Sequence, residues 1–257
     1  MKKLFKKHEN RLLIIVVVVM IIVFIILSIV NLFKQDKNDD REGDNYLSTQ
    51  TNFNTASTKI DNPQAASYIA PDLPTLKDND KIFGSADAPL KIFVYEDYTN
   101  IFSASLADTL EKIKAEAGNK LAVVIRSYFK DAPLALKASA AVDCAGEQGK
   151  WVQMRALLFA RAKNHQSLTP DFSSYIKQLN LNGEEFAVCL TNAEKSGKIE
   201  KSAAEAESYM VQGTPTIFVG DEMILGARPY ENFIDSNGDQ IEGLKTIVDK
   251  KLLIENK

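Results

Sequence analysis

The sequence predicts a mixed α/β domain with a helical insertion, set behind an apolar N-terminal segment. Three observations lead there. A strand-like run, an amphipathic stretch and a second strand-like run follow one another between residues 90 and 128. A series of helical patterns comes next, then two short strand-like runs and a last helical pattern. Near the N-terminus, Leu12 to Val30 is almost wholly apolar.

Residues 1–11 are a basic leader in which Lys2, Lys3, Lys6, Lys7 and Arg11 stand against one acid, Glu9. The following run, LLIIVVVVMIIVFIILSIV, carries no charge and one hydroxyl, Ser28. A helix over it spans roughly 28 Å, close to the hydrocarbon thickness of about 30 Å, and extension to Phe33 leaves slack for tilt. Beyond it Lys34, Lys37 and Arg41 are mixed with Asp36, Asp39, Asp40, Glu42 and Asp44. The excess of positive charge before the run places the N-terminus in the cytoplasm and the rest outside. Residues 12–33 are therefore expected to be a single-pass anchor in the cell membrane. A cleaved export signal would have a shorter apolar region and a small-x-small site, and Ile29-Val30-Asn31-Leu32-Phe33 offers none.

Residues 34–76 are rich in Asn, Asp, Ser, Thr and Gln, and their apolar residues, such as Tyr46, Phe53 and Ile60, show no period. Such a composition buries too little surface to offset chain entropy, so a polar linker is expected. Packing of Ser67 to Leu73 on the domain as an ordered arm is the alternative. The domain is expected over 77–257. Leu90 to Tyr95 (LKIFVY) suits a buried strand, Phe102 to Ala117 a helix with Leu106, Leu110 and Ile113 on one face, and Leu121 to Tyr128 a second strand. Strand, helix and strand at this spacing imply a right-handed crossover with parallel pairing. A helical insertion over about 131–208 follows: Pro133 opens Ala135 to Ala145, and then come Lys150 to Ala162, Phe172 to Leu179, Gly183 to Asn192 and Glu194 to Tyr209. Thr216 to Val219 and Met223 to Leu225 are strand-like, with Gly220-Asp221 able to turn a hairpin. A last helix is expected over about Ile241 to Leu253.

The formal charge of −3 argues against nucleic acid as a partner. His8 and His165 are too few and too scattered for a histidine metal site, and the two cysteines have no metal-ligand spacing. Gly-rich phosphate loops are missing as well, so no metal, nucleotide or organic cofactor is expected.

Four stretches, met in order, carry a resemblance to a known family. Gly84-Ser85-Ala86-Asp87-Ala88-Pro89 leads into Leu90 to Asp97-Tyr98; Cys144-Ala145-Gly146-Glu147-Gln148-Gly149-Lys150-Trp151 falls among the inserted helices; Val211-Gln212-Gly213-Thr214-Pro215-Thr216 precedes the late strands; Gly226-Ala227-Arg228-Pro229-Tyr230 precedes the last helix. Together they resemble the DsbA-like thioredoxin-fold family of thiol-disulfide oxidoreductases, over about Lys77 to Leu253. The resemblance implies a thioredoxin fold with an inserted helical subdomain and a cis-proline at Pro215.

In redox-active members the first strand ends in an Asp-aromatic pair and runs into Cys-x-x-C at a helix start. Here Asp97-Tyr98-Thr99 is followed by Asn100-Ile101-Phe102-Ser103, so Asn100 takes the place of the nucleophilic cysteine and Ser103 that of the resolving one. Thiol-disulfide exchange needs a thiolate and a second thiol to release it, which an amide and a hydroxyl do not supply. Asn100 is instead a good N-cap. Ser103 as a nucleophile would need an oriented base, and Asp97 is either a buried acid or an acid at the strand end. A cis bond before Pro215 would leave the Thr214 backbone open to an extended peptide, with Ile101 and Phe102 completing the surface; otherwise Pro215 only shapes the turn.

Cys144 and Cys189 lie 45 residues apart in the insertion. An even pair in an exported domain is expected to be oxidised, and closing that loop stabilises by roughly 4 kcal/mol. Cysteines at matching places in the related family support a structural bridge; two buried thiols or a redox pair are the alternatives. The functional expectation is an anchored, extracytoplasmic module of the cell envelope that binds exported unfolded or extended polypeptides without redox chemistry. A thiol-disulfide oxidoreductase working through Cys144 and Cys189 or through a partner's thiols is the competing expectation, and an envelope-assembly component a third.

Overall fold

The computed structural model of the protein describes residues 67–255, apart from 131 and 170. The leader at 1–11, the anchor at 12–33 and the linker as far as residue 66 lie outside the described residues. Among the described residues no helix is long and apolar enough to cross a membrane.

Ordered structure begins earlier than the boundary at Lys77. Ser67–Ile69 is strand β1, the edge of the main sheet, and the Ala70 N–H donates to the Asp221 carbonyl at 2.9 Å. Ser67, Tyr68 and Ile69 pair with Ile224, Met223 and Glu222, and Arg126 Nη2 donates to the Thr75 carbonyl at 2.6 Å, so residues before Lys77 pack on the domain, as the ordered-arm alternative expects of Ser67 to Ala70. Strand β2 (Lys81–Phe83) follows. Then come β3 (Leu90–Glu96), helix α1 (Ile101–Ala117) and β4 (Leu121–Ser127), and β3 pairs parallel with β4 as the crossover requires. The insertion comprises α2 (Pro133–Glu147), α3 (Trp151–Lys163), α4 (Ser173–Leu179), α5 (Gly183–Ser196) and α6 (Lys198–Ser208). The chain returns as β5 (Thr216–Val219) and β6 (Glu222–Leu225), turned by Gly220 at φ +60°, and ends in α7 (Leu244–Glu255). A small hairpin of β7 (Phe233–Ile234) and β8 (Gln240–Ile241) precedes α7, which therefore starts at Leu244 and not at Ile241.

The main sheet has the order β1-β6-β5-β3-β4-β2, with β3 and β4 its parallel pair. Alternation along the strands divides the core between its two faces. Ile92, Val94, Val123, Ile125, Ile217 and Ile224 turn to one face and pack on Leu106, Leu110 and Ile113 of α1 and on Leu244, Ile247 and Val248 of α7. Phe93, Tyr95, Val124 and Phe218 turn to the other, where Ala206 of α6 covers them. Helices α2 to α5 have a core of their own, built on Val142, Met154, Leu158, Phe159, Phe172 and Phe186 and shared with Tyr98 and Ala104. The Cys144–Cys189 disulfide joins α2 to α5 within it.

The single helix expected over Glu194 to Tyr209 is two. Gly197 sits at φ +64°, a left-handed conformation that caps α5 and redirects the chain into α6. That turn lets α6 cross to the far face of the sheet while α5 stays in the insertion.

Candidate functional site

Strand β3 determines where the site lies. Its Tyr95 pairs with Thr216 of antiparallel β5. The residues after Tyr95 and those before Thr216 therefore leave the sheet at the same end. This brings the turn Asp97–Asn100 and the loop Gly213–Pro215 to one place, although more than a hundred residues separate them in the chain. The Thr214–Pro215 bond is cis, and the Pro215 carbonyl accepts from the Gly226 N–H at 2.8 Å. Pro215 is buried and Thr214 half-buried, and the Thr214 backbone makes no backbone hydrogen bond among the described residues.

Asn100 caps α1. With extended φ −94° and ψ 127°, its Oδ1 accepts from the Phe102 N–H at 2.7 Å and the Ser103 N–H at 3.2 Å. These are two of the four backbone donors that a helix start leaves unpaired. Ile101 is half-buried, Phe102 is 52% exposed, and Ser103 has no exposed surface. The Ser103 hydroxyl accepts from the Asp97 N–H at 3.2 Å and so ties the end of β3 to the first turn of α1. That oxygen is turned inward and is no nucleophile for a ligand at the surface. The Asp97 carboxylate takes both the N–H and the hydroxyl of Thr99 at 2.7 Å. Burial raises its pKa, with the Thr99 hydrogen bonds opposing.

Replacing Asn100 by Ala leaves two helix-start donors without their cap. This substitution is expected to cost about 1 kcal/mol, read as a lower denaturant midpoint at unchanged slope.

Beneath the turn lies an ion pair that no sequence motif marks. Glu96 and Arg155 are 1% and 3% exposed, with Arg155 Nε to Glu96 Oε1 at 2.6 Å and Nη2 to Oε2 at 2.8 Å. Burial works against the Arg155 charge, but the carboxylate's charge and hydrogen bonds outweigh it and hold the guanidinium pKa above its ordinary value. Tyr98, packed on Phe159 at 5.7 Å, has its phenol pKa pushed well up by burial first and by the Glu96 charge second. The signal was present: Glu96 is a charge that follows the apolar run Ile92 to Tyr95, and Arg155 sits three and four residues before Leu158 and Phe159, on the buried stripe of α3.

A cavity of about 240 Å³ opens beside the turn, between Tyr98 and Thr99 on one side and Leu134, Leu158, Arg161 and Leu168 of the insertion on the other. Arg161 Nη2 donates to the Ser167 carbonyl at 2.7 Å, while its Nε and the Tyr175 hydroxyl are buried with no hydrogen-bond partner among the described residues. A buried donor left unpaired costs about 1–3 kcal/mol. The disulfide lies elsewhere, in the helical core, where Cys144 is fully buried. Among the described residues no group of His, Cys, Asp and Glu side chains is arranged to hold a metal ion.

A family model described as Thioredoxin matches residues 76–236. Among solved structures, the chain is similar to α-DsbA1 of Wolbachia pipientis, with 19% identity over 70% of this chain and 94% of that one, at a TM-score of 0.55. The thiol-disulfide exchange protein α-DsbA2 of the same organism gives 16% identity over 69% and 87%, at 0.54. A thioredoxin-like oxidoreductase from Silicibacter pomeroyi gives 18% over 68% and 92%, at 0.52. At these identities the likeness is one of fold. Among curated proteins, the Na(+)/H(+) antiporter NhaA 3 of Salinispora tropica is 27% identical over 149 residues, which are 57% of this chain and 22% of the antiporter. The antiporter NhaA of Herminiimonas arsenicoxydans is 25% identical over 150 residues, 58% of this chain and 23% of its own. The chain thus spans less than a quarter of the length of these relatives.

Proposed function

This chain belongs to the DsbA-like thioredoxin-fold family, and from that premise we propose that it is a membrane-anchored, extracytoplasmic member which binds extended polypeptides without thiol-disulfide chemistry. The observation that carries this reading is the occupant of the α1 start. Where the resemblance implies a Cys-x-x-C motif, Asn100 spends its side chain on capping and Ser103 turns its hydroxyl inward. Both cysteines of the chain are engaged with each other in the insertion. What remains at the end of the sheet is a surface for binding: the exposed Phe102, the half-buried Ile101 and the free backbone edge at Thr214. An extended peptide can pair with such an edge and set its apolar side chains against such a surface. The anchor at 12–33 would hold that surface on the outer side of the membrane.

Two assays on the full chain test the reading together. In the first, a reduced unfolded substrate protein is mixed with the chain, and disulfides are expected to form no faster than in buffer. In the second, a fluorescent extended peptide is titrated with the chain, and saturable binding is expected, weakened when Phe102 is replaced by Ser. Catalysed oxidation accompanied by reduction of the Cys144–Cys189 bond would refute the redox-inactive reading, and lack of peptide binding would refute the binding one.

A further inference from the structure

The cavity beside the turn has a one-sided chemistry. Tyr98, Leu134, Leu158 and Leu168 give it an apolar lining, and among its described lining residues Arg161 is the charged one and none is a carboxylate. A guanidinium carries five N–H donors; here one hydrogen bond, from Nη2 to the Ser167 carbonyl, fixes its plane. Its Nε is buried without a hydrogen-bond partner among the described residues, and the guanidinium belongs to the cavity lining. A guanidinium held in one plane against an apolar wall suits a planar acceptor of negative charge. The volume of about 240 Å³ is smaller than the roughly 300–1,000 Å³ of sites for whole small-molecule ligands. It is the right scale for one side chain and a carboxylate of something held mainly outside. The cavity opens next to Thr99, at the turn that carries Asn100 and the exposed Phe102, and its rim includes Leu134, 42% exposed. A chain lying along the proposed binding surface would reach it.

We infer that this cavity is a specificity subsite, in which Arg161 receives a carboxylate adjoining an apolar side chain of the bound polypeptide. The inference rests on the peptide-binding reading and deepens it, from extended chains in general to segments that place an acid beside an apolar residue.

The test is fluorescence anisotropy on the full chain with extended peptides that differ at one position. Three carry Leu-Glu, Leu-Gln or Leu-Lys at their centre and are amidated, so that the side chain holds the sole variable charge. A fourth ends in Leu with a free carboxylate. The Glu peptide is expected to bind about tenfold tighter than the Gln peptide at low salt, the scale of one charge-assisted hydrogen-bonded contact, with the Lys peptide weakest. Raising the salt should narrow the difference. Arg161→Gln should bring the Glu-to-Gln ratio to about one, whereas Arg161→Lys should retain part of it and Leu134→Ser should weaken both peptides alike. Tight binding of the fourth peptide would assign the carboxylate to a chain terminus; weak binding would assign it to an acidic side chain. Equal binding of the Glu and Gln peptides by the native chain overturns the subsite and leaves the peptide-binding reading standing. So does a preference that survives Arg161→Gln. If none of the peptides binds, both fall. The comparison of the Glu and Gln peptides on the native chain decides the matter even if Arg161→Gln does not fold.

Discussion

Replacing Arg155 by Ala is expected to cost about 3–5 kcal/mol, a large part of the roughly 5–15 kcal/mol that holds a domain of ordinary stability together. The reason is the partner left behind. Glu96 is 1% exposed, and its two oxygens are held by Arg155 Nε and Nη2 at 2.6 and 2.8 Å. Without the guanidinium, a carboxylate would remain in the interior at the base of the site with neither charge nor donors to match it. The arginine also lies over Phe159 at 4.7 Å and Phe83 at 5.3 Å, so its removal takes packing from two rings. Urea denaturation followed by circular dichroism reads the loss directly. The double substitution Glu96→Leu with Arg155→Met removes both charges at similar volume and is expected to be neutral or stabilising, since two buried ions each carry a desolvation penalty that apolar residues avoid. A cost under about 1 kcal/mol for Arg155→Ala would mean that water or another cation reaches Glu96, and the pair would then not be what fixes the end of β3.

Conformational consequences follow from the place of this pair in the chain. Glu96 is the last residue of β3, its carbonyl accepts from the Tyr128 N–H at 3.0 Å, and Asp97 begins the turn. Holding Glu96 from α3 joins the inserted helices to the strand at the point where the candidate site begins. Arg155→Ala should therefore reduce peptide binding as well as stability, while substitutions at the far end of α1 should leave binding alone.

Parts of this architecture could be read from the sequence because they are local. LKIFVY is a short, mostly apolar, β-rich run as a buried strand is, α1 has its apolar residues at helical spacing, and Asn100 stands just where a cap belongs. The short strands could not be read this way. Ser-Tyr-Ile at 67–69 and Lys-Ile-Phe at 81–83 are too brief to show a period, and their pairing with β6 and β4 is supplied by distant chain. The boundary at Lys77 failed for this reason. The break at Gly197 was missed because helical patterns continue on both sides of it, and its left-handed backbone leaves no trace in hydrophobic spacing. At the site, Asn100 and Ser103 stood out in the sequence as a departure from the motif that the resemblance implies. Arg155 and Arg161 belong to no motif, and each takes its meaning from residues on other elements: Glu96 for the first, Tyr98 and Leu134 for the second.

The same turn should acquire thiol chemistry from two substitutions. In the variant Asn100→Cys/Ser103→Cys the first sulfur would sit at the N-cap of α1, facing the Phe102 and residue-103 N–H groups that Asn100 Oδ1 now accepts from. Those donors and the positive end of the helix favour a thiolate, and so lower the thiol pKa and raise the fraction able to attack. The second sulfur would take the place of a hydroxyl that has no exposed surface, shielded from outside and one helical turn from the first, where a released thiol can close the disulfide. Oxidation of a reduced substrate protein by the full chain is expected to rise at least about tenfold over the native chain, because the native turn holds no thiol to attack with. Asn100→Cys alone should instead trap a mixed disulfide with the substrate, since no second thiol releases it. The control is Asn100→Ala/Ser103→Ala, which removes the cap and the hydroxyl without adding sulfur and should stay at background. A folded, oxidised double-cysteine variant that remains inert would show that Asn100 and Ser103 do not occupy the redox positions of the family. The proposal of a binding role, which depends on that equivalence, would then lose its footing.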